Sequence, residues 1–168
     1  MAGDTNQDEK YSIDTCSLIY GYADRSKRSI LENLIQRDRL KSPPSVLQEL
    51  QVGGDNVFDW VRNWQEYLIR ELSPVSASHL GRLVKSYGEP FYDPEQLGQH
   101  YRGLIKKGTA ADADPDIIGL AIDYGWTVVS EEASGIKGAC KLEKIKCISL
   151  QELCDIEIRK REQQLRFM

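Results

Sequence analysis

An α/β fold with a central parallel sheet is what three stretches of this 168-residue chain predict. Residues 111–132, ADADPDIIGLAIDYGWTVVSEE, read as a helix feeding a short buried strand. Residues 11–14, YSID, read as an opening strand that ends on an acid, and 144–153, KIKCISLQEL, as a strand followed by a helix. A helix that starts at one carboxylate and feeds a strand that ends at another suggests a unit with acids along one edge. In open α/β sheets that edge, outside the carboxyl ends of the strands, is where ligands bind.

The helix–strand unit has clear punctuation. Asp114 before Pro115 reads as an N-cap followed by Pro at the first helical position. Ile117, Ile118, Ala121 and Ile122 make an apolar stripe at helical spacing. Gly125 is placed to stop the helix, and residues 126–129 form the strand, with Ser130, Glu131 and Glu132 past its end. A purely structural account is also open at this stage. Asp114 is then only a cap, Asp112 and Asp116 favour the positive end of the helix dipole, and Glu131 and Glu132 belong to a surface turn.

Composition bounds the class. The 40% apolar fraction and the length suit one domain with a real core. No apolar run approaches the ~20 residues that a membrane span needs, so no membrane partner is expected. The opening MAGDTNQDEK is polar, lacks the order of a signal peptide, and reads as a disordered tail over 1–10, with one domain over 11–168. Cys16, Cys140, Cys147 and Cys154 form no C-x-x-C pair and read as reduced thiols of a cytoplasmic protein. His79 and His100 sit in no ligand or triad pattern. The net charge of −4 does not by itself suggest nucleic-acid binding, yet basic residues cluster at 25–28, 37–41, 102–107, 137–146 and 159–161. Most of these read as solvated faces, and one or two could track a phosphate backbone.

Along the chain, a helix is expected from about Ser26 to Asp38, with Ile30, Leu31, Leu34 and Ile35 buried. A brief second strand follows at 39–41. Ser42-Pro43 reads as another cap and Pro start, for a helix carrying Glu49 and stopped by Gly53-Gly54. Residues 55–107 read as all helical. One helix carries Val57 to Leu68, a second Leu80 to Tyr87, and a third, capped by Asp93-Pro94, runs on to Ile105. The Trp and Tyr of this section fit a core better than a base-stacking platform. A loop rich in Gly and Lys is expected after Glu132. Ser149 and Glu152 make a capping box for a last helix whose end, from Arg159, is charged and projects.

The acids at element ends are Asp14, Glu49, Asp114 and Glu132. Four converging carboxylates repel one another unless cations occupy the cluster. Oxygen ligands without His or Cys suit Mg²⁺ or Mn²⁺, and such ions can activate water and neutralise charge on a phosphate.

With these residues in view, the chain resembles the PIN-domain nucleases. YSIDTCSLI resembles that family's opening strand with Asp-Thr, a small polar residue and an apolar pair. SPPSVLQEL resembles its Ser-Pro-led helix with Glu before Leu, DPDIIGLAIDYGWTVVSEE its Asp, helix and strand, and KIKCISLQEL its last strand and helix. The four matches in order span most of 11–155, and the helical middle is longer than in small PIN toxins. The resemblance implies a three-layer α/β/α fold, with metal ligation by Asp14, Glu49 and Asp114 and with Glu132 at the fourth acidic position. It also implies that Ser17 and Ser130 hold carboxylates or waters. Glu132 stands where Asp is commoner, and Asp112 and Asp116 flank Asp114, so Asp116 is a candidate to share the metal.

What the resemblance implies for function is Mg²⁺- or Mn²⁺-dependent hydrolysis of RNA by a toxin that a cognate antitoxin silences. Two alternatives stand beside it: a PIN-like module that binds RNA or protein without cutting, and a nuclease selective for structured DNA. The last helix beyond Cys154, with Ile156, Ile158, Leu165 and Phe167 amid dense charge, offers a surface for an antitoxin or a second copy in a homodimer.

Overall fold

The computed structural model describes residues 9–53, 56–95, 100–105, 113–131 and 135–167. Four short parallel strands form its centre: β1 (Tyr11–Ile13), β2 (Leu40–Lys41), β5 (Thr127–Val129) and β6 (Cys147–Ile148), in the order β2-β1-β5-β6. Every residue of β1 and β5 is buried, as expected of a parallel sheet covered on both faces. Helix α7 (Asp114–Tyr124) lies against β1 and β5, and α6 (Pro74–Tyr87) and α8 (Gly135–Leu142) pack on it. On the other side, α1 (Thr15–Ala23) packs on α2 (Arg25–Gln36), and α2 contacts α5 (Gln65–Leu68) and α9 (Leu150–Arg166). This is the PIN-like α/β/α architecture that the sequence predicts.

The order of the strands creates a switch point. From β1 the chain crosses to β2 on one side, and from β5 it crosses to β6 on the other. The carboxyl ends of β1 and β5 therefore lie next to each other at the place where connections diverge. The next residues along that edge are Ser42, Asp14, Ser130 and Ser149 in strand order. They are stitched together: Ser42 Oγ donates to the Ile13 carbonyl at 2.6 Å, the Asp14 amide to Val129 at 3.1 Å, and the Ser130 amide to Ile148 at 3.0 Å.

Three helices turn into strands, and each turn contains one residue with positive φ: Asp38 at 61° before β2, Gly125 at 70° before β5, and Lys144 at 58° before β6. Left-handed backbone ends a helix within one residue, which keeps these returns short. Only one of the three is a glycine.

Several expectations need correction. The helix expected to run unbroken from Val57 to Leu68 is two pieces, α4 (Asn56–Asn63) and α5, split at Trp64 so that Ile69 can bridge to Ser42 beside β2. Ser42 is tied to β1 rather than capping α3 (Pro44–Gly53). The third middle helix is absent from the described residues, where β3 (Phe91–Tyr92) and β4 (His100–Tyr101) pair antiparallel. Asp93 makes a turn instead of a helix cap, accepting from the Glu95 amide at 2.9 Å. The Gly/Lys loop is in large part helix α8. Glu9 and Lys10, expected in the tail, are held to the sheet by Thr127, whose hydroxyl donates to Glu9 at 2.8 Å and whose amide donates to the Lys10 carbonyl at 3.1 Å.

The last helix divides as well. Ile156 packs against the core and Glu157 is buried, whereas Leu165 and Phe167 are 70% and 91% exposed. No helix among the described residues is long and apolar enough to cross a membrane.

Candidate active site

Asp14 is the centre of the carboxyl edge. It leaves β1 in extended conformation and caps α1, and its Oδ1 accepts from the Ser17 amide at 2.8 Å. Its Oδ2 accepts from the Ser130 hydroxyl at 2.6 Å, which joins the ends of β1 and β5 across the switch point. The residue is only 2% exposed. Burial pushes its carboxyl above the usual range, the Ser130 bond pulls the other way, and the charge of Glu131 adds to the rise. Capping alone does not explain this placement, because a cap at a solvent-facing helix start does the same work without burying a charge.

Two hydroxyls close to it in the chain find no aligned partner among the described residues. Thr15 Oγ1 and Ser17 Oγ are buried and make no aligned hydrogen bond, although Ser17 lies close enough to favour the charged form of Asp14. Buried polar atoms without partners are rare in native folds and mark places where a water, ion or ligand is expected. Ser17, expected to hold carboxylates or waters, meets the Asp14 carboxylate through its amide at 2.8 Å.

A second acidic pair sits where α3 meets the start of α7. Glu49 Oε1 accepts from the Ala113 amide at 2.5 Å, and Ser45 Oγ donates to Asp116 Oδ2. Burial raises the Asp116 carboxyl, the Ser45 bond pulls it back, and the nearby Glu49 charge raises it further. Asp114 lies half-buried in the first turn of α7 and does not cap it; Ala113 occupies the cap position and makes no side-chain bond there. Glu131 turns away toward α9, where its Oε1 accepts from the Leu150 amide at 2.7 Å next to the Ser149 cap. Glu132 and Asp112 lie outside the described residues.

The structure thus brings Asp14 to Ser130 and Ser17, and Glu49 to Asp116. Among the described residues, no three His, Cys, Asp or Glu side chains converge as a metal cluster. The donor chemistry nevertheless fits a hard divalent cation: carboxylates and hydroxyls only, a buried carboxylate whose charge is costly, and two hydroxyls close to it in the chain without an aligned partner among the described residues. Sequence reasoning missed Ser45 and Thr15. Thr15 lies inside the Asp-Thr motif, but Ser45 gives no signal because its partner is 71 residues away.

A family model described as "Domain of unknown function (DUF4411)" matches residues 8–160. The chain belongs to the DUF4411 family. Its fold is similar to that of VapBC from Salmonella typhimurium, solved bound to DNA, at TM-score 0.55 and 16% identity, covering 84% of this chain and 98% of that one. It is also similar to VapBC2 from Rickettsia felis, solved bound to a DNA fragment from their promoter, at TM-score 0.50 and 18% identity, covering 83% and 97%. A comparison with curated proteins returns no match. For this DUF4411 chain the likenesses establish the PIN-like fold.

Proposed function

We propose that this chain is a Mg²⁺- or Mn²⁺-dependent endoribonuclease, the toxin of a toxin–antitoxin pair, with Asp14 as its central ligand. The observation that carries the reading is the buried Asp14 carboxylate, tied to Ser130 at the switch point without a cationic partner among the described residues. A divalent cation bound there supplies Lewis acidity to a phosphodiester and to the attacking water. Asp14 would hold the ion, with Ser130 and the Ser17 amide fixing the direction of its oxygens. The Thr15 and Ser17 hydroxyls, which lack an aligned partner among the described residues, would orient a water or a phosphate oxygen. Glu49 and Asp116 offer a second set of carboxylate oxygens, and Asp114 and Glu132 are proposed to complete it. The toxin role rests on the PIN resemblance and on the VapBC assemblies that share the fold.

A non-cleaving PIN-like module is the second reading. What favours it is that no three acids converge among the described residues. One assay separates the two: cleavage of a single-stranded RNA with EDTA or with Mn²⁺, by wild type and Asp14→Asn, beside a flapped DNA. Mn²⁺-dependent RNA cleavage that Asp14→Asn abolishes supports the nuclease. No cleavage together with no Mn²⁺ binding supports the module, and preference for the flap redirects the substrate to DNA.

A further inference from the structure

The opposite edge of the sheet, where the strands begin, has a character of its own. Two basic clusters that lie far apart in the sequence meet there, Arg37 and Arg39 from the turn before β2 and Lys160 and Arg161 from α9. With Lys10 they line a cleft of about 570 Å³. A second cleft of about 420 Å³ shares Lys10 and Asp38 with the first and adds Lys41, Arg70, Tyr124 and Trp126. Together the two hold seven cations and three carboxylates, in a chain whose net charge is −4.

Part of this charge is structural. Arg39 forks onto Glu157 at 3.0 and 3.3 Å and donates to the Glu9 carbonyl, so that pair forms the floor. Lys41 is used by Asp38 and by the Tyr67 carbonyl, and Lys10 reaches Asp38 at 3.3 Å. The rim is different. Arg37 and Arg161 are exposed, and no ion pair answers either side chain among the described residues. Beyond them the Tyr124 and Trp126 rings stack at 4.6 Å with an 18° tilt, and the Arg70 guanidinium lies 5.2 Å above Tyr124.

We infer that this amino edge binds the phosphate backbone of single-stranded nucleic acid, with Arg37 and Arg161 on phosphates and the Tyr124–Trp126 pair beside a base. Guanidinium groups match phosphate oxygens as planar forks. Aromatic rings next to a basic groove are the usual platform for unpaired bases. An acidic protein segment would use the cations alone, whereas single-stranded nucleic acid would use both the cations and the stacked rings, so nucleic acid is the better occupant. The site is separate from the carboxylates at the other edge and needs no cleavage.

The test is fluorescence anisotropy of a labelled 12-nucleotide oligo(U) in EDTA, so its result does not depend on the nuclease reading. Wild type is compared with Arg37→Glu/Arg161→Glu and with a control of equal charge change outside the clefts, Arg62→Glu/Lys85→Glu, each checked for fold by its melting curve. The rim variant should bind at least tenfold more weakly than the control at about 50 mM salt. Its log K against log[salt] slope should shrink by about 1.4, near 0.7 for each lost phosphate contact. Equal binding by rim variant and control would overturn the proposal. So would polyglutamate competing for the cleft as well as oligo(U) at equal charge, since that assigns the edge to an acidic protein.

Discussion

The two edges of the sheet handle buried charge in opposite ways. At the amino edge, Glu157 is 3% exposed and Arg39 6%, and the two neutralise each other through a two-pronged ion pair. At the carboxyl edge, Asp14 is buried as deeply, yet among the described residues neutral hydroxyl and amide donors answer it and no cation does, and its carboxyl is pushed up. A paired buried charge is accounted for by the fold. An unpaired one carries a cost that protonation or a bound cation offsets. The difference separates a structural ion pair from a candidate metal ligand, although both are buried acids next to strand ends.

The comparison can be broken most forcefully at the amino edge. Arg39→Met leaves the buried Glu157 with only the longer 3.6 Å contact to Lys160 among the described residues, and should lower stability by about 3 kcal/mol. Adding Glu157→Leu should restore most of it, because an apolar pair of similar volume replaces the ions. Urea melts of the single and double variants measure both changes. If the single variant melts like wild type, the pair is not the buried contact described here.

At the carboxyl edge the missing counter-charge can be supplied. A cation that binds only the folded chain stabilises it by about 2.7 kcal/mol at 100 times its dissociation constant. Mn²⁺ should therefore raise the melting temperature of wild type and do little for Asp14→Asn. An equal shift in both would place the ion elsewhere. Ser130→Ala removes the hydroxyl that aims Asp14 Oδ2 and should weaken Mn²⁺ binding by about 10–100-fold, the range for loss of a ligand's outer partner. Calorimetric titration reads that change directly, and unaltered affinity would leave Ser130 with a purely structural role.

The smallest effect is on pH dependence without metal. Because the folded-state pKa of Asp14 lies above its unfolded value, the folded chain holds an extra proton between the ordinary carboxylate range and that raised value. Stability should fall as pH rises through this window and level off above it. Asp116, raised for the same reason, contributes in the same direction. Asp14→Asn should flatten the slope and, in EDTA at neutral pH, melt no lower than wild type. A lower melting temperature would mean that the cap bond to Ser17 outweighs the cost of the buried charge.

The tertiary structure also explains where local reading fails. Residues 135–142 contain two glycines and show weak helical propensity. They form α8 because Gly138 lets that helix approach the Tyr101 ring, where a Cβ would sit 2.5 Å from its Cγ. The same contact explains β4, since Tyr101 lies flat over α8 with its hydroxyl on Asp93 instead of lining a third middle helix. Lys141 of α8 closes the arrangement by pairing with Asp93. None of this has a period that a window of sequence can show.

The sequence by itself determined the order of the sheet elements, the cap at Ser149, the stop at Gly125, and the placement of acids and serines where strands and helices end. These are local matters, settled by periodicity and by what a backbone end requires within about four residues. Only the tertiary structure decided which ends meet. Ser130 reaches Asp14 across 116 positions, Ser45 reaches Asp116 across 71, and Arg39 finds Glu157 across 118. It also decided that Asp38 and Lys144 take the left-handed turns that a glycine would have announced. Those choices depend on burying one continuous core, and the free energy of burial is shared by residues distant in the chain.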